Sequence, residues 1–131
     1  MAGYLFTYGT LHPGRAPAEI APAVAKLQPV AEGFVRGLLY DLGDYPGAIL
    51  DPSSPQQISG TVFQLPDAPD ILRQLDEYEG FIPDAPDQSL FLRVQCSVSL
   101  ATGGALPCWI YVYNGQPEIA RILPSGIHRE N

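Results

Sequence analysis

The sequence predicts an α+β domain, a small mixed β-barrel or curled sheet with flanking helices. Three observations predict it. Several short apolar segments have strand character, and residues 67–80 carry the full signature of a helix. Frequent punctuation, with 13 Gly and 14 Pro in 131 residues, keeps the strands short and the connections tight. The whole chain, residues 1–131, reads as a single domain, long enough to bury a core without metal or disulfide staples.

Taken in order, residues 4–8 alternate aromatic and smaller side chains, a strand pattern that Gly9 and Pro13 interrupt. Residues 16–27 have helical spacing at Ile20, Ala23, Val24 and Leu27. Pro17 suits a first turn there but Pro22 does not suit an interior, which predicts a short or split helix. Residues 34–41 read as a strand in which Gly33 and Gly37 mark bends or close backbone approach. Short extended pieces follow at 45–50 and 58–65 around the Asp51-Pro52-Ser53-Ser54-Pro55 turn. Residues 90–100 and 106–113 form a hairpin around Ala101-Thr102-Gly103-Gly104, and 117–122 predict a last helical turn.

A formal net charge of −7, with fourteen acidic residues against seven basic, repels phosphate backbones and excludes nucleic acid as a partner. No apolar run is long enough to cross a bilayer, and Tyr4-Leu5-Phe6 lacks the order of a signal peptide. The expectation is therefore a cytoplasmic protein with no membrane partner. It is expected to be monomeric, since no long amphipathic stretch is left unassigned. Cys96 and Cys108 have no metal or redox spacing; two reduced cysteines in strands, or a disulfide across the hairpin, both remain open. His12 and His128 have no ligand-like neighbours, no Gly-x-Ser-x-Gly elbow occurs, and the expectation is that no metal or cofactor is used.

The helix of residues 67–80 is the most informative segment. Asp67 is placed as N-cap, Pro69 fits the first turn, and Gly80 fits the position past the last turn. At about 100° per residue, Ile71, Leu72, Leu75 and Tyr78 make an apolar stripe. Asp76 falls at its edge and Glu77 on the solvent side, which reads them as capping or surface charges. Glu79 falls about 80° from Ile71, inside the apolar sector. Burial and the negative end of the helix dipole would both raise its pKa, as proton-shuttling chemistry requires. The plainer alternative is a frayed helix end with Glu79 turned to solvent.

Gly9 and Gly14 bracket Thr10-Leu11-His12-Pro13 where a strand hands over to a helical region. Such glycines let backbone N–H groups face a carboxylate or an oxyanion, although an ordinary turn also accounts for them. The run is neither a Walker loop nor a dinucleotide fingerprint.

Tyr4-Leu-Phe-Thr-Tyr-Gly-Thr-Leu-His-Pro-Gly14 resembles the opening of the γ-glutamylcyclotransferase-like (AIG2-like) family, and Leu75-Asp-Glu-Tyr-Glu-Gly80 its Leu-Asp-x-x-Glu-Gly segment. Gly37-Leu-Leu-Tyr-Asp41, Tyr45-Pro-Gly47, Phe91-Leu-Arg93 and Trp109-Ile-Tyr-Val-Tyr113 resemble further family segments, in order across nearly the whole chain. The resemblance implies the γ-glutamylcyclotransferase-like fold, a small γ-glutamyl substrate held by Tyr8, Gly9, Thr10 and Leu11, and Glu79 as catalytic residue. It implies cyclisation of a γ-glutamyl amine or peptide to 5-oxoproline with release of the amine, Glu79 moving both protons. Tyr8 and Tyr113 are candidates for shaping the pocket. Arg36 and Arg93 are candidates for a substrate carboxylate, with Arg93 favoured because it lies within a matched segment. Phe91 stands where many relatives carry tyrosine, Thr61 follows Gly60 where glutamate is common, and Ser125-Gly126-Ile127 replaces a Gly-Asp-Trp ending. These departures leave the substrate open. The competing expectations are a non-catalytic module binding a small anion and a biosynthetic enzyme removing a γ-glutamyl protecting group.

Overall fold

A computed structural model describes residues 3–9, 16–41 and 46–115. These form β1 (Tyr4–Thr7), α1 (Ala21–Val24), β2 (Gln28–Asp41), β3 (Pro46–Leu50), β4 (Gln57–Gln64), α2 (Pro69–Glu79), a 3₁₀ turn (Pro86–Gln88), β5 (Phe91–Leu100) and β6 (Ala105–Tyr113). The expected turn at 117–122 lies outside the described residues.

The strands β2-β4-β1-β6-β5 are neighbours in that order, and β5 returns to β2 to close a five-stranded barrel. The pairing of β1 with β6 is parallel and the other pairings are antiparallel. Closure is brief: Gly33 pairs with Leu100 and Phe34 with Ser99. Beyond it, β2 pairs with β3 over residues 37–41. Glu32 O accepts from Ala101 N and Arg36 O from Asp51 N. Carbonyls four residues apart in a strand face one edge, so β3 takes over the edge that β5 leaves.

Alternation along the strands makes two apolar layers. Phe6, Val35, Leu39, Ile58, Val62, Val98, Cys108 and Ile110 fill the barrel. Leu5, Phe63, Phe91 and Tyr111 face outward and are covered by Val24 of α1, by Leu27 just after it, and by Ile71 and Leu75 of α2. Each fully buried aliphatic side chain contributes about 2 kcal/mol, so the helices are held chiefly by this layer.

Three expectations change in detail. The helix anticipated over 16–27 shrinks to four residues because Pro22 falls in its first turn; an earlier start would need the N–H that proline lacks. The N-cap of α2 is Ala68, not Asp67, and no side chain caps it. Pro69 fixes the first helical position and forces the residue before it into the extended region, where Ala68 sits at φ −143°. The strand β2 begins at Gln28, six residues before the expected start, through an irregularity between Pro29 and Ala31. Gly33 and Gly37 do mark close backbone approach: a Cβ on Gly37 would sit 2.3 Å from Ile49 O. Cys96 and Cys108 are cross-strand partners and both are free thiols. Burial raises both thiols, Cys108 to about 11 with Cys96 adding to the effect. Among the described residues no helix is long and apolar enough to cross a membrane.

Candidate active site

The site is assembled where the last turn of α2 meets the C-terminal ends of β1 and β6. Gly80 ends α2 in the left-handed conformation at φ 74°, and Phe81 N donates to Asp76 O at 2.9 Å. Glycine takes that backbone without steric cost and thereby fixes the final turn. The turn presents Asp76 and Glu79 to the barrel wall.

Asp76 was expected at the surface. It is instead 6% exposed and fully engaged. Arg93 Nε donates to its Oδ1 at 2.7 Å and Arg93 Nη2 to its Oδ2 at 3.2 Å. The Tyr111 hydroxyl donates to Oδ1 at 2.7 Å. The guanidinium lies 4.3 Å from the Trp109 ring centre and 5.5 Å from that of Phe81. Burying this charge is tolerable because its partner and hydrogen bonds are supplied together. Arg93, favoured above for a substrate carboxylate, is thus committed to Asp76.

Glu79 is partly open to solvent, yet protein surrounds most of its carboxyl. Among the described residues no hydrogen bond or ion pair engages it. Burial raises its pKa from 4.5 to about 7. The helical wheel had placed Glu79 in the apolar sector, and it is half-buried there rather than frayed outward. Glu77, by contrast, is exposed as expected.

Tyr8 follows β1 and reaches two other strands. Its hydroxyl donates to Tyr111 O at 2.5 Å and accepts from Ala48 N at 3.1 Å. Burial, then the nearby Glu79 carboxylate, push the phenol well above its usual range, while the Ala48 N–H opposes them. Tyr8 is therefore a neutral phenol. Tyr111 is also pushed up, first by burial and then by its hydrogen bond to Asp76. Gly9 packs on the start of β3, where an added Cβ would meet Pro46 Cγ at 3.0 Å.

The structure therefore brings Tyr8, Gly9 and Glu79 together. Tyr113 lies on the helix-facing side of β6, its ring edge-on to Phe91 at 5.8 Å. Thr10 and Leu11 lie outside the described residues, as do His12, Tyr45, His128 and the 125–127 ending. Arg36 is distant in the fold, donating to Ser54 O at 3.3 Å. Thr61 donates to Glu32 at 2.5 Å. Asp76 and Tyr111, which join this cluster, were not among the residues expected there. Spacing gave Tyr111 as one aromatic in a strand, and only its cross-strand pairing with Arg93 brings it to Asp76.

Comparison with known proteins gives the family and the fold. A family model described as gamma-glutamyl cyclotransferase, AIG2-like, matches residues 5–129. The chain is 32% identical over 111 residues to the gamma-L-glutamyl-butirosin B gamma-glutamyl cyclotransferase of Niallia circulans. That alignment covers 84% of this chain and 66% of the relative, just under two thirds of its length. Among solved structures, an AIG2-like protein from Mus musculus superposes with a TM-score of 0.71 at 20% identity, covering 99% of this chain and 98% of that one. YkqA from Bacillus subtilis gives 0.71 at 19% identity, over 97% of this chain and 39% of that one. These likenesses establish the barrel as the fold of that group. On the match across nearly its whole length, the chain belongs to the γ-glutamyl cyclotransferase, AIG2-like family.

Proposed function

We propose that the protein is a γ-glutamyl cyclotransferase that converts a γ-glutamyl amide to 5-oxoproline and a free amine, with Glu79 as general base and then general acid. The observation that carries this reading is a buried carboxyl with no partner among the described residues, tuned to about 7, beside Tyr8 at the end of β1. A carboxyl near neutrality can take up and return a proton within one cycle.

In the proposed cycle the substrate's α-amino nitrogen attacks its own γ-carbonyl carbon. Glu79 accepts the proton that this nitrogen loses as the new C–N bond closes the five-membered lactam. The bond to the departing amine then breaks, and Glu79 delivers the same proton to that nitrogen. No electrons are gained or lost. Backbone N–H groups of the Gly9–Leu11 segment are proposed to hold the α-carboxylate or the oxyanion. Tyr8 shapes the wall and, as a neutral phenol, takes no proton. Tyr113 is proposed as a second wall of the pocket. With Arg93 held by Asp76, carboxylate recognition falls to the backbone rather than to that guanidinium.

The leaving group is proposed to be an amine on a small molecule, because the relative from Niallia circulans is named for a γ-glutamyl-butirosin substrate. This favours removal of a γ-glutamyl protecting group over breakdown of a γ-glutamyl peptide. The test is 5-oxoproline release from a panel of γ-glutamyl amines, γ-glutamyl dipeptides and glutathione. Wild type should turn over at least one amine, and Glu79→Gln should lose about 100-fold or more. Activity that survives in Glu79→Gln removes Glu79 from the chemistry. Binding without turnover across the panel makes the protein a ligand-binding module instead.

A further inference from the structure

We infer that Asp76, Arg93 and Tyr111 are positioning residues that fix the last turn of α2, and with it Glu79, against the Tyr8 end of β1. The inference deepens the acid/base reading of Glu79 and rests on it.

Helix C-termini fray unless something anchors them, and Glu79 is the final helical residue. Its own carboxylate anchors nothing among the described residues. Asp76, one turn earlier on the same side of the helix, is tied to two strands at once. Arg93 of β5 grips both carboxylate oxygens, and Tyr111 of β6 donates to one of them. Trp109 and Phe81 hold the guanidinium plane. The Phe81 amide also closes the helix end onto the Asp76 carbonyl.

Tyr111 makes the link to the other half of the site. Its side chain holds Asp76, while its carbonyl accepts from the Tyr8 hydroxyl, which is bonded in turn to Ala48 of β3. The helix that carries Glu79 and the strand end that carries Gly9 are therefore referenced to one residue. A displacement of about 1 Å between reacting groups can cost about 100-fold in rate, so such a reference has catalytic consequences.

Among the described residues, the titratable groups that interact with Glu79 are Tyr8, just past β1, and Tyr111 from β6, and Tyr111 in turn meets Asp76 on the same helix and Arg93 from β5. Since Asp76 and Arg93 neutralise one another, removing both charges together changes geometry more than field. Asp76→Asn/Arg93→Gln does this, and Tyr111→Phe removes a hydrogen bond with no change of charge.

The experiment compares both variants with wild type in 5-oxoproline release and in a ¹³C carboxylate titration of Glu79. Arg73→Ala, which removes only the exposed pair with Asp70, is the control. Positioning predicts that kcat falls roughly 100-fold in the double variant and about 10-fold in Tyr111→Phe, with KM within about threefold. It also predicts that Glu79 titrates below about 7, toward 4.5, as the loosened turn hydrates. A Glu79 titration unchanged in folded Tyr111→Phe overturns the inference whatever happens to kcat. If the double variant does not fold, Tyr111→Phe decides alone. If wild type turns over nothing in the panel, the catalytic reading fails, and the titration still decides whether this network places Glu79.

Discussion

Asp76 and Glu79 stand three residues apart on α2, and the protein treats them in opposite ways. Asp76 is the more deeply buried, yet a guanidinium and a phenol hydroxyl satisfy it completely. Glu79 keeps a partial opening to solvent, yet no described residue bonds its carboxylate, and its pKa is lifted to about 7. Burial alone therefore does not make a reactive carboxyl. Burial without a partner does, because the desolvation cost then falls on the charged form. On the reading proposed above, one acid holds the framework still and the other is left free to move a proton.

The sharpest way to break this comparison is to exchange the two losses. Glu79→Gln should remove turnover by about 100-fold or more while leaving the fold intact. Asp76→Ala should do the reverse in kind: it strands the Arg93 charge among Trp109 and Phe81 and should cost about 3 kcal/mol in urea unfolding. If Asp76→Ala is as stable as wild type, the pair is not the anchor described above.

How much of this was legible in the sequence follows from the same contrast. Periodicity put Glu79 in the apolar sector with no tertiary partner needed, and the Leu75–Gly80 resemblance, not the wheel, singled it out as catalytic. The same arithmetic put Asp76 at the edge of the apolar stripe and could go no further. Its fate depends on Arg93 and Tyr111, which reach it only through the β5–β6 register. The hairpin itself was legible from its Gly103-Gly104 turn and flanking apolar runs. Barrel closure was not, since it rests on two residue pairs between strands about 65 residues apart. Pro22 and Pro69 shifted helix starts for local reasons that were visible, although their outcome for Asp67 was misread.

A smaller effect sharpens the contrast from the side of stability. In the folded protein Glu79 titrates at about 7, against 4.5 when solvated. Between those values the folded state keeps a proton that the unfolded chain has released, so stability falls as pH rises through this window. Because Glu79 retains an opening to solvent, about 2 kcal/mol of penalty is expected above pH 8. Glu79→Gln should therefore melt higher than wild type at pH 8 and match it near pH 4. Activity and stability should move in opposite directions at this position, as they do where a site is held under strain.

The smallest expected effect concerns the link from Tyr111 to β3 through Tyr8. Tyr8→Phe deletes the hydroxyl that joins Tyr111 O to Ala48 N but keeps the ring. One backbone acceptor and one donor lose their partner, which should cost about 1–2 kcal/mol in unfolding free energy. Glu79 loses no hydrogen bond in this variant, so its titration near 7 should persist while kcat falls only a few fold. A large drop in the Glu79 pKa on Tyr8→Phe would mean that Tyr8, and not the turn held by Asp76, keeps water away from the carboxyl. That result would move the boundary of the framework from α2 to the end of β1, and the comparison of the two acids would have to be redrawn around the phenol.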